Sequence, residues 1–222
     1  MRRRSFFRVA GATAAASALV LTGCDDDTAT VTTTTDTLAL ASGDAGLLNY
    51  AYLLEQLEAA FYQKALDTKA ADLTPADLSG LTDLRDHEVI HREFFKYALG
   101  TSAIADVTFN FSTIDFTTRA GVFAAAKKLE DVGVAAYIGV GKLFTSSVYL
   151  GLVAKIASVE ARHAAFVRDA LQPNSAGTAD ATIIVASGDY AGLNVTMTPL
   201  EVLAAVAPFL PFTVDASQLP TS

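Results

Sequence analysis

Residues 158–166 read "SVEARHAAF" and residues 86–95 read "DHEVIHREFF". In each, a glutamate stands three places before a histidine: Glu160 before His163, and Glu88 before His91. The chain has only three histidines, and finding two of them at this offset is a coincidence on the order of a few in a thousand. On an α-helix, residues three apart share a face roughly one turn on. Each pair then turns a carboxylate and an imidazole the same way and makes half of a site.

Helices are what the surrounding sequence predicts. Leu47, Tyr50, Leu54, Leu57, Phe61 and Ala65 recur at three and four, a first helix from about 45 to 67 with Glu55 and Glu58 near its apolar face. Thr74 is a cap and Pro75 the first helical residue of a second helix that Gly100 stops. A third spans about 117 to 141 and a fourth about 146 to 171, halted by Pro173. No proline falls between 76 and 172, as long packed helices require. The first and second helices are joined by a short segment, and so are the third and fourth. Residues 101–117, "TSAIADVTFNFSTIDFT", separate the second from the third. A connection that long lets the chain cross the bundle. The fold class predicted is an all-α four-helix bundle with one long crossover between helices two and three, followed by a small irregular C-terminal extension.

The halves of this bundle repeat. "LEQLEAAFY" (54–62) places Glu55 seven before Tyr62, and "LEDVGVAAY" (129–137) places Glu130 seven before Tyr137. The pattern is Glu-x6-Tyr followed by Glu-x-x-His, twice. An inward Glu on two helices and Glu-x-x-His on the other two is the ligand scheme of dinuclear carboxylate proteins. Four ionised glutamates in an apolar bundle cost many kcal/mol through desolvation and repulsion. Two divalent cations cancel that charge. Oxygen-rich ligation with one nitrogen per ion suits two Fe or two Mn ions, with Zn a mis-metallation by affinity ordering.

Composition bounds the partners. The formal net charge is -8, and four of the sixteen basic residues (Arg2, Arg3, Arg4 and Arg8) lie in the first 23 residues, which carry no acid. An acidic remainder argues against nucleic acid as a partner. "RRRSFFR" (2–8) followed by the weakly apolar "VAGATAAASALVLTG" (9–23) reads as a twin-arginine export signal over residues 1–23. The closing "LTGC" resembles the lipobox of bacterial lipoproteins, in which the cysteine, here Cys24, is lipidated and becomes the mature N-terminus. The alternative is a plain secreted protein with an incidental cysteine. Cys24 is the only cysteine, so a disulfide within the chain and a four-cysteine metal site are both excluded. Residues 24–43, Thr-rich and without helical periodicity, read as a flexible tether between a membrane anchor and a bundle at 44–172. The expected location is the cell envelope, as a periplasmic lipoprotein.

The stretches "NYAYLLEQLEAAFY", "HEVIHREFFKYALG", "LEDVGVAAYIG" and "IASVEARHAAF" together resemble the ferritin-like superfamily, in particular its exported bacterial branch of ferritin-like or desiccation-related proteins. The resemblance spans about 45 to 171. It implies Glu88 and Glu160 as bridging or chelating carboxylates, His91 and His163 as terminal nitrogen ligands, and Glu55 and Glu130 as terminal carboxylates. It also implies oxidation of ferrous iron or removal of peroxide or oxygen at an open coordination position. A peroxidase of this kind would need an external electron donor, because the chain lacks a cysteine-rich electron-transfer module. A non-catalytic metal-binding or stress-protective envelope protein is the second function, and a bundle with an empty site the third. A second copy of the chain is a candidate partner.

Some positions stay open. Glu58 lies one turn from Glu55 and also fits the inner face, although the Glu-x6-Tyr parallel favours Glu55. His87, four before His91, could be a substitute ligand or a cap on the rim and is read as non-ligating, and Glu93 is read as solvent-facing. Tyr62 and Tyr137 are candidates for hydrogen-bonding the ligand carboxylates or for redox relay, and core packing is their bland alternative. Gly133, Gly139, Gly141 and Gly151 are read as close helix approaches or helix ends. In residues 173–222, "ATIIVASGDYAGLNVTMT" is expected to hold a short hairpin and "PLEVLAAVAPFL" a short amphipathic helix, both packed over the bundle.

Overall fold

The computed structural model describes residues 36–221. The expected export signal, Cys24 and most of the expected tether lie outside them. Four long helices dominate: α1 (Gly43–Thr68), α2 (Pro75–Leu99), α3 (Arg119–Gly141) and α4 (Ser147–Leu171). The starts of α2, α3 and α4 have local causes. Thr74 caps α2 in a full capping box with Asp77 and Pro75 at its first position, Thr118 caps α3, and Ser146 caps α4. Among the described residues no helix is long and apolar enough to cross a membrane.

The long connection crosses the bundle along α1. Asn49 near the start of α1 holds Ser102 O and Ile104 N, Tyr52 donates to Asp106, and Gln56 accepts from Val107 N. Further on, Phe61 packs edge-on to Phe111 and tilted against Phe116. The chain thus travels the length of α1 before α3 begins beside the start of α2, where Arg119 pairs with Asp77 at 2.8 Å. Accordingly α3 runs parallel to α2 and antiparallel to α1. At the opposite end Asp44 accepts from Thr145 and Ser146, joining the start of α1 to that of α4. All-α architecture and a crossover between α2 and α3 agree with the reading of the sequence.

Covering by the crossover changes the character of α1. An amphipathic helix with one apolar face was expected, yet its turns from Gly46 to Ala59 are buried on every side. The polar side chains Asn49, Tyr52 and Gln56 are there because the crossover backbone, which lacks regular structure of its own, needs partners once it is packed on a helix.

The C-terminal residues are fastened to the bundle. α5 (Pro199–Val206) lies against α3, and the turn around the Ile184–Asn194 bridge forms the expected small hairpin. Gly139 is required where the extension crosses α3, since a Cβ there would stand 1.9 Å from Met197 O. Gly151, by contrast, faces open space and marks no close approach. The end of the expected tether is ordered: β1 (Thr37–Ala39) pairs in parallel with β2 (Thr213–Asp215). Two short threonine-containing segments far apart in sequence carry no local signal for this pairing. Arg168 is 2% exposed and reaches Asp131 with two hydrogen bonds of 2.8 and 2.6 Å, and Gly177 O at 2.9 Å. Replacing Arg168 by alanine strands Asp131 and removes the bond to Gly177 at the start of the extension. Urea unfolding is expected to register a loss of about 3 kcal/mol.

Candidate metal centre

Each helix delivers its part of the repeat to one place. Glu55, Glu88, Glu130 and Glu160 are all 0% exposed, His91 is 7% and His163 4% exposed. Their donor atoms fall into two groups: Glu55, Glu88, His91 and Glu160, and Glu88, Glu130, Glu160 and His163, with the atoms of each group within 4.8 Å of one another. Glu88 and Glu160 belong to both. His91 Nδ1 lies 2.8 Å from Glu160, 3.3 Å from Glu88 and 3.4 Å from Glu55. His163 Nδ1 lies 2.7 Å from Glu88, 3.5 Å from Glu160 and 3.8 Å from Glu130.

The atoms left without a hydrogen bond define what fits. Among the six ligand candidates they are both oxygens of Glu88, both oxygens of Glu160, one oxygen each of Glu55 and Glu130, and Nδ1 of both histidines; Glu58 and Tyr50 each leave one more buried oxygen unpartnered. These eight atoms converge without being aligned as hydrogen bonds. Buried polar atoms are almost always satisfied, so eight orphans around one volume make a site that could hold metal ions. The second oxygen of each outer glutamate is taken: Tyr62 donates to Glu130 at 2.5 Å, and Tyr137 donates to Glu55. Each tyrosine serves the carboxylate of the opposite repeat, which ties α1 to α3 at the centre.

Charge is balanced by protons. Burial, then the neighbouring Glu160, raises Glu55 well above the carboxylate range, and burial with Glu88 does the same to Glu130. Burial pulls both imidazoles down, but their carboxylate partners outweigh it, pushing His91 to about 12 and His163 to about 10. Burial also raises both tyrosines, beside Glu130 and Glu55, which keeps them neutral donors. Protons thus stand where cationic charge is needed. Six acceptor oxygens and two imidazole nitrogens make a hard, oxygen-rich donor set that fits iron or manganese.

Two residues stand beside this set. Glu58 is 2% exposed with an unpartnered oxygen, yet it belongs to neither group. Its equivalent in the second repeat is Gly133, and a Cβ there would come 2.9 Å from Glu58 Oε1. The glycine makes room for the extra carboxylate, whose protonated form is favoured by burial and then by Glu160. His87, read as a rim residue, is exposed but places its Nδ1 2.9 Å from His163 Nε2. Spacing along one helix held no signal for that contact, because its partner is on α4.

A family model described as a ferritin-like domain matches residues 43–173. That interval starts with the first residue of α1 and closes just beyond α4. No curated protein matches the chain.

Proposed function

Because the chain belongs to the ferritin-like domain family and gathers eight unpartnered donor atoms in its core, we propose that it holds a dinuclear iron or manganese centre. It acts, on this reading, in the oxidation of ferrous iron or the removal of peroxide or oxygen. Glu55 and His91 would hold one ion, Glu130 and His163 the other, and Glu88 and Glu160 would be shared. Such a pair supplies a redox couple and an open position for an oxygen-containing substrate.

The protein's own part is to shape and protect that place. Four buried carboxylates set a charge that two divalent cations neutralise. Tyr62 and Tyr137 hold one oxygen each of Glu130 and Glu55, which keeps the free oxygen of each carboxylate turned to the centre. Leu57, Phe95 and Tyr137, each at most 3% exposed, belong to the apolar core that excludes bulk water. The two histidines carry what exposure the set has, which supports approach of a small substrate past their ring edges.

Export by a twin-arginine signal and a lipid anchor at Cys24 complete the proposal, carried by "RRRSFFR" and "LTGC". Electrons for a peroxidase cycle would come from an external donor. The observation that carries the reading is the orphaned donor set. It is tested by elemental analysis of protein recovered from its native host, followed by oxygen and peroxide consumption on the same sample. About two iron or manganese ions per chain with rapid peroxide loss or ferrous oxidation are expected. Two ions without turnover would assign the non-catalytic protective role, and a protein that neither contains nor takes up metal would sink both.

A further inference from the structure

The two halves of the centre are equivalent in their ligands but not in what stands behind the histidines. His163 Nδ1 faces Glu88, Glu160 and Glu130, so Nδ1 is the nitrogen turned to the centre, and with a metal ion on Nδ1 the remaining ring proton stands on Nε2. That Nε2 lies 2.9 Å from His87 Nδ1, with the ring centroids 5.1 Å apart and the ring planes inclined by 27°, so that the rings meet edge to edge. His87 therefore accepts the Nε2–H of His163 and carries its own proton on Nε2, toward solvent. No such bond reaches His91 Nε2 among the described residues. Val159 explains the difference: it stands before Glu160 as His87 stands before Glu88 and has nothing to offer as an acceptor.

We propose that His87 is a positioning residue that locks His163 in the tautomer and ring orientation needed to bind metal through Nδ1, making the His163 half of the centre the tighter of two unequal metal sites. The inference rests on the dinuclear reading above. A metal-bound imidazole whose far N–H is held by a partner is oriented and made a stronger donor, and loss of such a partner typically costs 10–100-fold in metal affinity. His87 is exposed and reaches the centre only through His163, so the repeat is symmetric in its ligands and asymmetric in its support.

The test is an anaerobic titration of the whole protein with Co(II), followed by the visible absorption of the bound ion and by competition with a chelator. Wild-type protein is expected to bind two Co(II) ions with different affinities. His87→Leu, which fills the space without an acceptor, should weaken the tighter ion roughly 10–100-fold and leave the weaker one in place. His87→Asn, whose Oδ1 can occupy the position of Nδ1, should restore it. Proton NMR of the Co(II) protein adds a second readout: one shifted imidazole N–H that exchanges slowly in wild type and in His87→Asn, and rapidly in His87→Leu. Metal-free melting curves should coincide for all three, since an exposed side chain is being changed. Two ions bound by His87→Leu as tightly as by wild type would overturn this inference alone, and so would equal weakening in the Leu and Asn variants. A wild-type protein that takes up no Co(II) would overturn the dinuclear reading and this one with it.

Discussion

Glu88→Ala is expected to abolish uptake of both ions, not of one. Glu88 belongs to both donor groups, and neither of its oxygens has another partner. Its carboxylate sits 2.7 Å from His163 Nδ1 and 3.3 Å from His91 Nδ1, so its removal takes a ligand from each half and a negative charge that both cations need. Loss of a supporting residue alone costs 10–100-fold, and loss of a shared ligand should exceed about 100-fold at each site. Equilibrium dialysis against Mn(II), with helical content checked on the same samples, measures it. Glu93→Ala is the control: that residue is exposed and pairs with Arg92 outside the donor groups, and the variant should keep two ions. Retention of both ions in Glu88→Ala would refute the site, whereas loss of a single ion would show that the halves are independent.

Metal should also govern stability. An ion that binds only the folded chain adds about 4 kcal/mol at a free concentration of about 1,000 times its Kd. For a chain of this size each kcal/mol moves the melting temperature by about 2–4 °C, so loading one site should raise it by about 8–16 °C and loading both by more. The sign of the pH effect follows from the protons the centre holds. Below about 12 for His91 and about 10 for His163 the metal-free imidazoles are protonated, and burial with Glu160 and Glu88 keeps Glu55 and Glu130 protonated far above the usual carboxylate range. Each ion must displace such protons, so acid weakens binding and the thermal gain shrinks as pH falls. Calorimetric melts with Mn(II) and with chelator, at pH about 7.5 and about 5.5, decide this. Superimposable melts at the higher pH would mean that the buried carboxylates never take a cation.

Much of this architecture could be read along the chain because its signals are local. Helix starts at Thr74 and Pro75, stops at Gly100 and Pro173, and the length of the 101–117 connection all act within a few residues of where they are written. Glu88 with His91, Glu160 with His163, and the spacings of Glu55 to Tyr62 and Glu130 to Tyr137 are each set within one helix, so periodicity alone placed each pair on a common face.

What lay beyond the sequence is what depends on a second helix. The Glu-x6-Tyr parallel favoured Glu55 over Glu58, but which of them joins the donor groups depends on where α2 and α4 bring Glu88, His91 and Glu160, since both residues fit the inner face of α1. The exchange of tyrosines between repeats, Tyr62 to Glu130 and Tyr137 to Glu55, follows from α1 packing beside α3. The His87–His163 contact, the Arg168–Asp131 pair and the parallel pairing of β1 with β2 join residues that no short-range pattern relates. By itself the sequence determined the helices, their order and the kinds of atom each turns inward, since these follow from backbone period and local caps. Only the tertiary structure decided which atoms meet, because a hydrogen bond or a shared donor depends on distances of a few ångströms between helices whose packing is fixed by the whole core.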